Sequence, residues 1–123
     1  MPPSSENVFH IEQRGGITVI RPSQRLESLG WDLIEHAAAL VIEPIRGQQS
    51  SLVLVALDDV NYFGSAFLSL LLRLWKHVST SGGMMVLSGA TPRAKELLRV
   101  TNLDTLWAIY ETEQEALDVL ESD

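Results

Sequence analysis

The sequence has no cysteine among its 123 residues, which excludes disulfides and thiolate zinc sites. Histidine is nearly as scarce. His10, His36 and His77 are scattered without ligand spacing, so no structural metal is expected. Basic residues number nine against sixteen acidic ones, and the resulting net charge of −7 opposes nucleic acid phosphates and anionic lipid head groups. No run of basic residues overrides that balance. No apolar stretch reaches the roughly 18 uninterrupted residues that a membrane-crossing helix requires. The opening residues, Met1 to Asn7, lack both the basic start and the apolar core of a signal peptide. A soluble cytoplasmic protein with no nucleic acid or membrane partner is the expectation.

Catalytic and cofactor signals are also missing. His10 and His77 have no acidic or nucleophilic partner at a predictable spacing, and Gly82-Gly83 lacks both the spacing and the lysine of a phosphate-binding P-loop. No enzyme, no cofactor and no metal site is predicted. Asp58-Asp59 could face a cation, but two adjacent acids at a strand end read as a solvated turn.

What is present is a regular alternation of strands and helices. The length fits one domain able to bury its own core, with residues 1–7 as a flexible tail and residues 8–123 as the folded unit. Val8 to Ile11 and Ile17 to Ile20 flank Gly15-Gly16 as a hairpin. From Leu26 to Ile45, apolar residues at spacings of three and four predict an amphipathic helix capped by Ser28 and ended by Pro44. Leu52 to Leu57 is continuously apolar, as in a central parallel strand covered on both faces. The helix from Phe67 to Val78 is expected to bury Leu68, Leu71, Leu72 and Trp75. Met84 to Leu87 forms the next strand, and Thr91-Pro92 opens a helix with a side-chain cap and a proline at its first position. Thr105 to Tyr110 reads as a last strand, and Thr112 with Glu115 has the form of a capping box for a terminal helix. Trp31, Trp75 and Trp107 occupy apolar positions and are expected in the core. The order β-β-α-β-α-β-α-β-α implies an α/β domain with a mixed, mostly parallel sheet, an antiparallel edge strand and about four helices.

The stretch most suited to function joins the central strand to the apolar helix, because a helix N-terminus offers backbone N–H groups and a positive dipole end at the surface. It contains Asn61, Gly64, Ser65, Ala66 and Phe67. Ser65 is either a helix N-cap or a phosphate acceptor, and Phe67 is either an exposed anchor for a partner or a residue packed on the sheet.

Across the segments LVLVALDDVNYF, GSAFLSLLLRLWKHV, Gly82-Gly83 before MMVLSGA, TPRAKELLRVTNLDTLWAIY and ETEQEALDVL, the chain resembles the STAS domain family of bacterial anti-sigma-factor antagonists. The agreement runs for roughly seventy residues without an obvious gap, and the first fifty agree in pattern only. The resemblance implies a STAS-like single domain and a non-enzymatic partner-switching role. In such a role the domain binds an anti-sigma factor with serine kinase activity, and phosphorylation of a loop serine breaks the complex. A phosphate adds about −1.5 to −2 charge, enough to repel an acidic partner surface. Laid over the family loop, Gly64 stands where aspartate is usual, Ser65 matches the first serine, Ala66 stands at the phosphorylated serine and Phe67 replaces a glycine. The resemblance therefore implies a partner-binding surface at Asn61, Gly64, Ser65, Ala66 and Phe67 without its usual acceptor, Ser65 being the remaining candidate for phosphorylation. A ligand-sensing or scaffolding STAS module is the alternative.

Overall fold

The computed structural model describes residues 9–24, 31–46, 51–61 and 64–122. The expected tail at 1–7 and the Ser28 cap lie outside these residues. The strands are β1 (Phe9–Arg14), β2 (Ile17–Pro22), β3 (Leu52–Ala56), β4 (Met84–Ser88) and β5 (Ile109–Tyr110). The helices are α1 (Trp31–Ile42), α2 (Ser65–Thr80), α3 (Pro92–Val100) and α4 (Glu113–Ser122). The strands form one sheet in the order β1-β2-β3-β4-β5, antiparallel between β1 and β2 and parallel elsewhere. Gly15 and Gly16, at φ 56° and 91°, supply the left-handed residues that a tight two-residue hairpin turn needs.

β3 lies at the centre, and its alternating side chains feed two cores. Val53 and Val55 face a cluster built with Ala38, Val41, Phe67, Leu71, Leu74 and Leu98 from α1, α2 and α3. Leu54 faces the other side, with Ile17, Val19 and Val86 under Ala116, Leu117 and Leu120 of α4. Both faces of the central strand are therefore dry, which is why its sequence is continuously apolar.

Hydrogen bonds pin the helix starts. Thr91 Oγ1 accepts from the Ala94 N–H at 3.1 Å, with Pro92 at the first helical position, and Thr112 Oγ1 accepts from the Glu115 N–H at 3.1 Å. α4 is also tied to the hairpin. Arg21 donates to both carboxylate oxygens of Glu113, at 3.1 and 2.8 Å, and to Glu12 at 2.7 Å. The hydrogen bond from Arg21 holds the Glu12 carboxyl below its usual range, and the two glutamates push the guanidinium higher still. Because Glu12 is depressed on folding, its contribution is present at neutral pH and is lost as pH falls through the lowered value.

As expected, the first helix does not run through Pro44: α1 stops at Ile42 and the chain tightens into a 3-10 turn, Glu43–Ile45, that contains the proline. Two sequence expectations are corrected. The last strand is short, because Asn102 adopts a left-handed backbone (φ 64°) and Leu103–Thr105 forms a 3-10 turn, leaving only Ile109 and Tyr110 to pair with Leu87 and Ser88. The buried face of α2 is also rotated from the expected one. Phe67, Leu70, Leu71, Leu74 and Val78 are buried, Leu68 and Trp75 are half-buried, and Leu72 is 38% exposed. Trp107 is buried as expected, and the Trp31 side chain lies outside the description.

Candidate functional site: the loop between β3 and α2

The loop is built as a rigid turn followed by an open helix start. Leu57, fully buried, extends the pairing beyond β3 by donating its N–H to the Ser88 carbonyl at 2.8 Å. The Val60 N–H returns to the Leu57 carbonyl at 3.0 Å, closing a turn whose tip is Asp58-Asp59. Val60 is buried and anchors the turn, whereas both aspartates and Asn61 are exposed. The Asp58 carboxyl lies across Gly89, so closely that a Cβ on Gly89 would collide with both of its oxygens. Gly89, at φ 66°, thus permits the turn to sit against the chain leaving β4. Sequence reading gave Gly89 no role, and nothing in the local pattern marks this approach. Among the described residues no three His, Cys, Asp or Glu side chains are grouped to hold a metal.

Gly64 occupies the N-cap position of α2, with extended backbone (φ −92°, ψ −169°), and its carbonyl accepts from the Leu68 N–H at 3.2 Å. Among the described residues no side chain caps this end. Ser65 is therefore the first residue inside the helix and not its N-cap. Among the described residues nothing lies within 4 Å of where a Cβ on Gly64 would stand. Ala66 is half-buried at the edge of the core.

Phe67 is 2% exposed and belongs to the core under α2, which settles its two readings in favour of packing. It is not an exposed anchor, because the third residue of the helix is turned toward the sheet. Asn61 and Gly64 are at the surface, Ser65 and Ala66 lie in the first turn of α2, and Phe67 supports them from beneath. Beside the loop, a groove of about 310 Å³ is lined by Asn61, Arg93, Glu96, Leu97 and Val100. Sequence reading did not find it, since it needs α3 to lie next to the loop.

The sequence profile of the STAS domain matches residues 9–116. The chain belongs to the STAS-domain family. A solved anti-sigma-factor antagonist STAS-domain protein from Planctomyces limnophilus is 32% identical and superposes with a TM-score of 0.82, covering 92% of this chain and 97% of that one. The anti-sigma F factor antagonist of Paenibacillus polymyxa is 25% identical over 113 residues, 92% of this chain and 94% of that protein. A Thermotoga neapolitana homologue of a predicted anti-sigma factor antagonist is 36% identical over 66 residues, and the match spans 54% of this chain and 58% of that relative's length. This STAS domain is thus similar to anti-sigma-factor antagonists over nearly its full length. Among the described residues, no helix is long and apolar enough to cross a membrane.

Proposed function

We propose that this protein is a non-enzymatic, cytoplasmic partner-switching regulator that binds an anti-sigma factor with serine kinase activity. The partner-binding surface is Asn61, Gly64, Ser65 and Ala66, with Phe67 as its support. The observation that carries the reading is Ala66 in the first turn of α2, where the family resemblance puts the phosphorylated serine. Alanine has no hydroxyl, so a kinase partner has no acceptor at that place, and the complex persists where a relative's would be released. Ser65 is the one hydroxyl left in the turn.

A direct test places a fixed charge where the phosphate would be. Ala66→Asp is expected to weaken binding of the cognate anti-sigma factor at least about tenfold, by charge repulsion and desolvation. The variant is expected to remain folded, because the cost of a carboxylate at the half-buried edge of the core is partly offset by the about 0.3–1 kcal/mol that an acid in the first turn of a helix contributes. Titration calorimetry with parallel thermal unfolding reads both. Unchanged affinity for the folded variant would remove the loop from the interface.

The groove beside Asn61 favours a second reading, a ligand-sensing or scaffolding STAS module. It combines the apolar side chains of Leu97 and Val100 with the polar groups of Asn61, Arg93 and Glu96, a mixture that a small molecule could use. A metabolite retained through native purification, with no kinase partner, would favour it.

A further inference from the structure

The two edges of the sheet are finished differently. β5 pairs only Ile109 and Tyr110 with β4, and a very short edge strand is one way of discouraging further pairing. β1, the other edge, is paired along its whole length to β2, with no bulge and no proline. Arg14 and Ile17 flank the two-residue turn and form a hydrogen-bonded pair, and the ladder alternates from there. Arg14, Glu12 and His10 therefore direct their backbone groups to β2, while Gln13, Ile11 and Phe9 turn theirs outward. Pro22 agrees with this alternation: it has no N–H and falls opposite Phe9, at a pair that needs none. Among the described residues, no backbone hydrogen bond reaches the outer side of β1.

We infer that this edge pairs with β1 of a second copy of the chain, antiparallel and about a two-fold axis at Ile11, so that the two sheets become one. A single register sets all the outward residues against one another: Ile11 opposite Ile11 of the other copy and Phe9 opposite Gln13, each pair exchanging two backbone hydrogen bonds. That register also places His10 opposite Glu12 of the other copy, twice by symmetry. Sliding it by one pair either way sets Glu12 against Glu12 or His10 against His10. The charges of β1 thus select the register that its backbone prefers. The chain's net charge of −7 does not oppose the contact locally, because Arg14 and Arg21 balance Glu12 and Glu113 in one group of ion pairs at this edge. On the opposite face the two Ile11 side chains, already half-buried at the margin of the core, meet across the axis. The axis runs perpendicular to the sheet, so the two loops between β3 and α2 point to opposite ends and both remain open. The dimer therefore presents two partner-binding surfaces.

Sedimentation equilibrium of the full chain, carried up to about 1 mM to cover an interface of this small size, is expected to show a reversible monomer–dimer equilibrium. His10→Glu, which turns both cross-strand pairs into like charges, should weaken the dimer at least about tenfold. Gln13→Pro removes an outward N–H and no ladder bond to β2, and should abolish the dimer while the amide spectrum stays that of a folded protein. Disulfide linking reads the register, since the chain has no cysteine of its own. Ile11→Cys should link to itself on oxidation, because opposed residues of a hydrogen-bonded pair lie about 5.5 Å apart at Cα, and Glu12→Cys should not. A chain that stays monomeric throughout, a dimer indifferent to His10→Glu and Gln13→Pro, or preferential linking through Glu12→Cys would overturn the inference. So would β1 amides that gain protection from exchange only when an anti-sigma factor is added, since the edge would then hold another protein's strand.

Discussion

Phe67→Ala is expected to destabilise the protein by about 3–5 kcal/mol, a large part of the roughly 5–15 kcal/mol that holds a domain of this kind together. The ring is 2% exposed and sits in the cluster that joins β3 to α1, α2 and α3, so its removal leaves a cavity bounded by a rigid sheet. The loss should appear as a lower urea midpoint with little change in slope. Partner affinity, corrected for the folded fraction, should fall far less than with Ala66→Asp. Phe67→Leu, which keeps most of the volume, should cost less than about 1.5 kcal/mol. A Phe67→Ala protein of undiminished stability would mean that the ring is not packed beneath the loop.

Gly83→Ala is the second large effect, with a different cause. A Cβ at this position would collide with the Ser51 carbonyl oxygen and stand 2.7 Å from the Ser51 nitrogen. Both are backbone atoms, so no rotamer relieves the contact. The same carbonyl accepts the Met84 N–H at 2.9 Å, at the point where β4 begins to pair with β3. Relief requires separating the two central strands, whose inner side chains are buried on both faces. The cost should reach about 3 kcal/mol, the upper end of ordinary overpacking, or exceed it. Equilibrium unfolding would show this, and backbone hydrogen exchange should rise first at Met84 to Val86. A loss below about 1 kcal/mol would contradict the close approach.

The elements that sequence reveals here are those whose chemistry is local. Thr91-Pro92 and Thr112 with Glu115 form the helix starts that their side chains announce, and the uninterrupted apolar run at Leu52 places β3 at the centre of the sheet. The face of α2 was less legible. Leucines at 68, 70, 71, 72 and 74 satisfy more than one helical face, and packing against the sheet and the neighbouring helices decides among them. In the fold Phe67, Leu70 and Leu74 are turned inward and Leu72 is left at the surface. Contacts across sequence, such as Asp58 over Gly89 or Ser51 against Gly83, leave no periodic trace because they depend on how neighbouring strands are joined. Within the loop, the residue types were legible and the orientation of Phe67 was not.

Intact-mass spectrometry of the protein incubated with its cognate anti-sigma factor kinase and magnesium ATP reads out the proposed loss of the phosphate acceptor in the partner-binding loop. The parent protein is expected to gain no phosphate and stay bound, while Ala66→Ser gains one phosphate at residue 66 and is released. Stoichiometric phosphate on Ser65 of the parent protein, accompanied by release, would contradict it.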